Sequence, residues 1–360
     1  MAEKLVIVGA GVAGVNAATK LVDSGYPGKD ITIIDMGKDP YNRKYSEVME
    51  GFLGAGGWSD GKLTYHTSIG GQLSKYCGEE KAMELFDEVI ANFKRFHPKP
   101  EEVQCSDPQA EPDFIKPYFG LRLFPVWHVG TDYLHEIGKN WYDYLVSKGV
   151  DFVWETKVTR IDFNTQEIFT DERPYGDFDN KYDRLMFAVG KSGIDFGKQL
   201  ADDYKLPTEP KPVQIGVRFE APQEHFQKLI DISYDFKLYR KFDEGVSLRS
   251  FCTNNNAAYV AVEETYGDHS YNGHAKKDEA FRNNMTNFGI LMEIPGIEEP
   301  FAWSRELVSK VNKEGTGLYY SPTRTPSTTS EGEDVSAVSI TEEQMSEVRS
   351  AFHGYYSYID

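Results

Sequence analysis

The sequence of 360 residues carries 57 Asp and Glu against 39 Lys and Arg, a net charge of −18, and 40% of it is hydrophobic, with 22 Tyr and 22 Phe. That apolar share can build a sizeable core in one large or two ordinary domains, while the acidic balance argues against a general nucleic-acid binder, whose cations must outnumber carboxylates along the phosphates. Three widely spaced cysteines without a CxxC pair (Cys77, Cys105, Cys252) exclude a disulfide scaffold and a zinc ribbon and fit a reducing cytoplasm; no run approaches the roughly 18 apolar residues of a membrane span, and no metal site is expected.

In chain order, "KLVIVGAGVAGVNAATKLVDSG" predicts a buried strand at Leu5–Val8, a glycine turn and a helix ending near Gly25. "DITIIDMG" predicts a second buried strand, Ile31–Asp35, so that strand, helix and strand form a βαβ unit with parallel strands covered on both faces. A glycine-rich stretch, "LGAGGWSDGKLT", follows. "EEKAMELFDEVIANFKRF" then places Met83, Leu85, Phe86, Val89, Ile90 and Phe93 at helical spacing. The proline-rich sequence from His97 to Pro125 reads as loop. A helix with Leu134, Ile137, Trp141 and Leu145 on one face should end at Gly149, "VDFVWETKVTRIDF" should be one strand, and "DRLMFAVGKSG" a buried strand running into a glycine turn.

From about Val213 the texture changes to short β-like runs, "PVQIGVRFEAP", "GVSLRSFCT" and "AAYVAVEE", which predict an antiparallel sheet in a second domain. Residues 321–337 are polar and linker-like. A last helix is expected from the capping pair Thr341 and Gln344 and the stripe Met345, Val348, Phe352, Tyr355 and Ile359.

The motif with the clearest chemistry is the GxGxxG of Gly9, Gly11 and Gly14 between the first strand and its helix, with the small Ala18 one turn further on. Gly9 permits the tight turn, Gly11 lets the backbone approach a pyrophosphate, and Gly14 allows close helix–strand packing. The intervening Ala10, Val12 and Ala13 complete the expected cofactor-binding turn, and the helix N-terminus supplies free N–H groups and a partial positive charge to the phosphates. Asp35, followed by Met36, lies where the adenosine ribose hydroxyls would be held, and an acid there disfavours a 2′-phosphate. NAD and FAD are not separated by this motif, and the bland alternative is a glycine turn without a ligand.

Gly54, Gly56, Gly57 and Gly61 have the same two readings, a surface loop or a backbone that must let something approach. FAD is longer than one such cradle, so a second glycine segment can meet its flavin end, with Ser59, Asp60 and Lys62 bonding to its polar atoms. "GAGGWSDGKLT" resembles the signature loop of a largely uncharacterised family of FAD-dependent dehydrogenases, within the broad glutathione-reductase-like flavoprotein group. The resemblance continues through "HVGTDYL", "ETKVTRI", "FAVGKSG", "IGVRFEAPQ", "RSFC" and "YNGH…NNMTNFG", and covers about residues 4–325. It implies an FAD cofactor, an adenine-reading strand at Val158, a strand passing the cofactor at Ala188 and Gly190, and Arg43 as a basic residue near the pyrophosphate. Plain core packing would equally explain Val158 and Ala188. Family members usually continue into a C-terminal glycine-rich segment that closes over the ribityl chain. The sequence stops at Asp360 without it, an expectation that puts tight FAD retention in question.

The fold class expected is α/β: a Rossmann-type FAD-binding domain with a parallel sheet and helices, plus a β-rich substrate domain. The expected boundaries are 1–75 with 126–205 for the FAD-binding domain, 76–125 for a helical and loop insertion, 206–325 for the substrate domain, and 326–360 for a linker and terminal helix. Without a second GxGxxG no separate NAD(P)H domain is expected, and without CxxC no redox-active disulfide. The expected activity is direct oxidoreduction of a small substrate or side group at the flavin, an amine or amino-acid-like group by analogy with relatives. A redox-neutral flavin lyase or modifying enzyme and a non-catalytic dinucleotide-binding protein remain alternatives. Catalytic residues stay open; the candidates are Arg249 for a substrate anion, and Cys252 and His128, the thiol having core packing and the histidine a structural role as alternatives. His269 and His274 are further proton carriers on the same terms. Substrate, electron acceptor and oligomeric state are not legible.

Overall fold

Strand β1 (Leu5–Val8) is buried from its second residue on, and β2 (Ile31–Ile34) is buried at every position, the pattern of parallel strands covered on both faces. Between them runs helix α1 (Val12–Asp23), whose inward side is Gly14, Val15, Ala18 and Thr19. In this computed structural model the described residues are 3–44, 47–171, 180–242, 245–265, 268–311 and 319–320. The polar stretch 321–337 and the terminal helix expected from Thr341 onward lie outside them, as does the side chain of His269.

The chain continues with β3 (Lys62–Thr64), α2 (Leu73–Cys77) and α3 (Glu79–Phe96), then β4 (Gln104–Ser106), β5 (Gly120–Arg122) and β6 (Val126–His128). Next come α4 (Thr131–Ser147), β7 (Asp151–Val153), β8 (Val158–Asp162), β9 (Glu167–Thr170), β10 (Arg184–Phe187) and α5 (Ile194–Asp203). The last part holds β11 (Val213–Pro222), α6 (Gln227–Ile230), β12 (Lys237–Lys241) and β13 (Ser247–Asn254). It ends with β14 (Ala258–Thr265), β15 (Asp268–Ala275), β16 (Met285–Ile294), α7 (Pro300–Val311) and β17 (Tyr319–Tyr320).

Two compact units divide the chain: Met1–Gly61, Leu73–Val103 and Tyr133–Thr208 form the first; Lys62–Gln72, Gln104–Asp132 and the described residues from Glu209 on form the second. The first unit contains a parallel sheet in the order β10-β1-β2-β7 and the ribbon β8-β9. Val6, Val8, Ile34, Val153, Val158, Ile161, Ile168 and Leu200 make one core cluster on it. Helices α1, α3 and α4 meet around Trp141, which is fully buried, stacks on Phe96 with centroids 4.9 Å apart, and donates its indole N–H to Thr19 at 2.7 Å.

The second unit is β-rich. A six-stranded sheet has the order β17-β11-β16-β13-β12-β5, accompanied by the hairpin β14-β15 and the three-stranded sheet β3-β6-β4. The long antiparallel pairing of Val213–Pro222 with Met285–Ile294 is its spine.

Three local expectations differ from this arrangement. The single strand expected over "VDFVWETKVTRIDF" is two, because Glu155 turns the backbone at φ +50° and hands its N–H to Gly37. The stretch His97–Pro125 contains the short strands β4 and β5, three residues each and too short for an alternating pattern to show. The division into units also runs differently from the expected boundaries: α3 belongs to the first unit, whereas 62–72 and 104–132 belong to the second.

Candidate functional site

The loop from β1 to α1 lies at the carboxyl end of the parallel sheet, the side on which open α/β sheets bind ligands. Its three glycines have three different reasons to be glycine. At Gly9, φ is +109° and a Cβ would sit 2.3 Å from the Ala188 carbonyl oxygen, so strand β10 closes against the turn. At Gly14 a Cβ would lie 2.1 Å from the Gly9 carbonyl oxygen, which is the close helix–strand packing. At Gly11 a Cβ would meet nothing within 4 Å. Gly11 is also the N-cap of α1, without a side-chain cap bond and with no acidic residue in the first turn. Side chains therefore leave the helix N-terminus open, with its positive dipole end available to an anion, while the Ala10 N–H just before it is taken by Asp35. Ala10 is fully buried, and Val12 and Ala13 form the first turn.

Asp35 ties three loops together. One carboxylate oxygen accepts from the N–H groups of Gly37 and Gly51, both at 2.8 Å, and the other from Ala10 at 2.7 Å. Met36 follows it, half-buried. The second glycine segment is drawn onto the first: Leu53, in the left-handed region at φ +63°, donates its N–H to the Ala10 carbonyl at 2.7 Å and bridges Gly11. A Cβ on Gly56 would fall 2.5 Å from the Val12 side chain, and one on Gly57 2.2 Å from Leu53. What approaches these glycines is the protein itself, packed on the start of α1.

Arg43 fastens this segment. It is 4% exposed and donates to the carbonyls of Glu47, Phe52, Val48 and Gly54, with its guanidinium 4.5 Å from the centre of the Trp58 ring. Burial pushes its pKa down to about 10 against the pull of Asp35, Glu47 and Glu50, so it stays charged at neutral pH. Its described donors serve the loop's own carbonyls. Val158 is buried in the core cluster, Ala188 donates its N–H to the Val8 carbonyl at 2.8 Å, and Gly190 has φ +59° with nothing within 4 Å of a Cβ. Ser59 and Asp60 follow the segment in the first unit.

Lys62 belongs to the second unit and to a different cluster. Its ammonium donates to the Thr253 carbonyl at 2.6 Å and lies 3.6 Å from Asp235, both side chains being 4% exposed. Lys237 donates to both oxygens of Asp235 at 2.8 Å, and the Thr253 N–H reaches one of them at 2.9 Å. Burial pushes the Asp235 carboxyl upward, but the charges of Lys62 and Lys237 and its hydrogen bonds outweigh that and hold it below the usual carboxylate range. Burial, reinforced by Lys62, lowers the Lys237 ammonium against the pull of Asp235. His128 sits directly across from Lys62 in the β3–β6 pairing and packs on Tyr234, with ring centroids 5.2 Å apart. Cys252 precedes Thr253 on the same bulged strand.

Three sequence candidates, Lys62, His128 and Cys252, thus come from distant segments into one neighbourhood. Arg249 does not join them: its guanidinium bonds to Gln214, and burial lowers its pKa. Sequence reasoning missed Asp235, Lys237 and Arg218. The one available signal was the pair Asp235 and Lys237 two apart in a strand-like run, which puts both side chains on one side. Among the described residues no group of His, Cys, Asp and Glu is placed to hold a metal ion, and no helix is long and apolar enough to cross a membrane.

The family model of the pyridine nucleotide-disulphide oxidoreductases matches residues 3–204, more than half of the chain. The chain belongs to this family. No curated protein matches it. Among solved structures it is similar to CtdE in complex with FAD, at 10% identity over 83% of this chain and 61% of that one, with a TM-score of 0.36. A flavoprotein/dehydrogenase from Cytophaga hutchinsonii is 15% identical over 87% of this chain and 62% of its own, with a TM-score of 0.36. Glycine oxidase from Bacillus cereus is 12% identical over 85% and 78%, with a TM-score of 0.40. The chain spans about six tenths of the length of the first two.

The pyridine nucleotide-disulphide oxidoreductase family binds FAD, and the residues of the first unit fit that cofactor. The open space over Gly11, the uncapped N-terminus of α1 and the absence of a first-turn carboxylate are the features a pyrophosphate needs.

Proposed function

We propose that this chain is an FAD-dependent oxidoreductase that acts directly on a small substrate or substrate side group, with amines and amino-acid-like groups the first class to try. The observation that carries the reading is the set of three unlike glycines: Gly9 and Gly14 are closed by the protein's own backbone, and Gly11 alone faces open space. The resemblance to the uncharacterised FAD-dependent dehydrogenases, and through them to the glutathione-reductase-like group, is part of the same proposal.

In this reading the backbone N–H groups at the start of α1 bind the pyrophosphate. Three of the roughly four acceptor positions of the Asp35 carboxylate are taken by backbone donors, which leaves one for a ribose hydroxyl. Val158 lines the adenine side, and Ala188 and Gly190 the strand that passes the cofactor. Arg43 acts one step removed, holding the Gly54–Gly57 turn against α1. FAD, when bound, supplies two-electron chemistry, and the protein's part is to orient it and exclude water. Dithiol chemistry of the kind in the family's name is not proposed, because the three cysteines include no CxxC pair and form no disulfide.

The test is the visible absorption spectrum of the purified chain, with the released cofactor identified by mass, followed by anaerobic addition of amines, amino acids and hydroxy acids. A two-band flavin spectrum of FAD mass that bleaches with one class supports the reading and names the substrate. A protein that neither carries nor takes up FAD overturns it.

A further inference from the structure

The six-stranded sheet of the second unit has two unlike faces, because side chains alternate along each strand. Ile215, Leu248, Met292 and Ile294 point to one side, into a core cluster with Trp303 and Leu307 of α7. On the other side the register sets Gly120, Tyr239, Arg249, Leu291 and Gly216 in one row across β5, β12, β13, β16 and β11. In the next row Arg122 pairs with Lys237, and Phe251 with Gly289. Arg122, Phe251 and Gly216 are exposed on this side.

Both guanidiniums of this face lie against a ring. Arg122 is 5.2 Å from the centre of Tyr239, and Arg249 is 5.3 Å from that of Phe251. Tyr239 itself lies across β5, where a Cβ on Gly120 would fall 2.2 Å from the ring. A guanidinium stacked on an aromatic face keeps its donors in its own plane, where a carboxylate can meet them edge to edge. Lys237 is committed to Asp235, and Glu293 of β16 accepts from the Gln214 amide at 2.7 Å. Among the described residues neither arginine is in a salt bridge. Arg249 donates through Nη2 to the side-chain oxygen of the exposed Gln214, and its Nε is buried without a partner. An orphaned buried donor calls for an explanation. The Nη2 and Nε hydrogens of a guanidinium point the same way, so a carboxylate that takes the place of the Gln214 amide bonds both. We propose that this face of the sheet is a carboxylate subsite: Arg249 and Arg122 hold the carboxylate of an organic acid whose apolar body lies along Phe251 and Leu291. The inference deepens the oxidoreductase reading and rests on it for the reaction, where it selects amino acids and hydroxy acids over simple amines. The binding itself is a property of the second unit.

Titration calorimetry on the full chain, with and without added FAD, tests this with four probes: phenylacetate, its uncharged isostere phenylacetamide, acetate and inorganic phosphate. Phenylacetate should bind about tenfold or more tightly than each of the others. Phenylacetamide lacks the charge, acetate lacks the body, and phosphate lacks the planar fork. Arg122→Gln and Arg249→Gln should each weaken phenylacetate about tenfold and leave phenylacetamide within about twofold. Arg122 is exposed and has no hydrogen bond or salt bridge among the described residues, so its variant keeps the fold and decides the matter even where Arg249→Gln does not fold. No binding of phenylacetate, equal binding of the amide or of phosphate, or an Arg122→Gln chain that binds as the parent does overturns the proposal. A chain that binds phenylacetate through its arginines but takes up no FAD fails the flavin reading alone. A chain with a flavin spectrum and no arginine-dependent binding fails the carboxylate subsite alone.

Discussion

The cradle of the first unit and the charged cluster of the second are built in opposite ways. The cradle is made of backbone within a few residues of one turn, and its geometry follows from where side chains are missing. The cluster is made of side chains from β3, the approach to β12 and the start of β12, with backbone groups from the bulge of β13, which are distant in sequence and meet only when the sheets form. A site made of absent side chains can be read locally, because glycine is placed where nothing else fits. A site made of charged side chains depends on partners that no local pattern names.

The sharpest way to break the comparison is to fill the closed positions of the cradle. Gly9→Ala and Gly14→Ala put a Cβ within 2.3 Å and 2.1 Å of backbone oxygens, contacts that no rotamer change relieves. Each should cost about 5 kcal/mol or more, seen as loss of soluble protein or collapse of the denaturation midpoint. A midpoint close to the original would mean that the turn can relax and that its glycines are not structural.

In the cluster, Asp235→Asn removes the buried carboxylate that both Lys62 and Lys237 face and should cost about 3–5 kcal/mol. The pH dependence has a definite sign. Asp235 titrates lower folded than unfolded, so its stabilisation is present above the unfolded carboxyl value and is lost as pH falls through the lower folded value. Lys237 is also lowered; the unfolded chain then holds the extra proton, and stability rises with pH between the folded value and the unfolded one. Denaturation midpoints should thus fall on the acid side and rise on the alkaline side. Asp235→Asn should flatten the acid limb, and Lys237→Gln the alkaline one.

The same contrast explains what was legible. The βαβ unit, the helical faces of Leu134, Ile137, Trp141 and Leu145, and the change of texture near Val213 follow from periodicity and glycine placement. The break at Glu155 was hidden, because a left-handed non-glycine residue leaves no mark in composition. The second glycine segment was conspicuous, but its glycines make room for Val12 and Leu53, a tertiary contact invisible in the segment itself. Lys62 stands next to that segment in the sequence, yet its side chain lies with Asp235 and Thr253.

Arg43 tests whether the second segment needs its fastening. Arg43→Met leaves four carbonyls without their donor and should cost about 2–3 kcal/mol. Arg43→Lys should recover little, since one ammonium cannot span the directions of a guanidinium fork. Midpoints of the three proteins, measured side by side, check this; equal values for the lysine variant and the parent would show that charge alone suffices.

Gly11→Ala has the smallest expected effect on the fold and the most direct bearing on the function. The residue sits at φ −67°, where alanine is at ease, and its Cβ would meet no protein atom within 4 Å. Stability measured without cofactor should stay within about 0.5 kcal/mol of the parent. In the proposed reading the same methyl group would stand where the pyrophosphate reaches the backbone, so retained FAD should drop sharply. Gly9→Ala would lose flavin through loss of the fold, whereas Gly11→Ala should lose flavin from a folded protein. If Gly11→Ala keeps its FAD, the open space over the loop is not where the phosphates lie, and the cradle has to be sought elsewhere on the sheet edge.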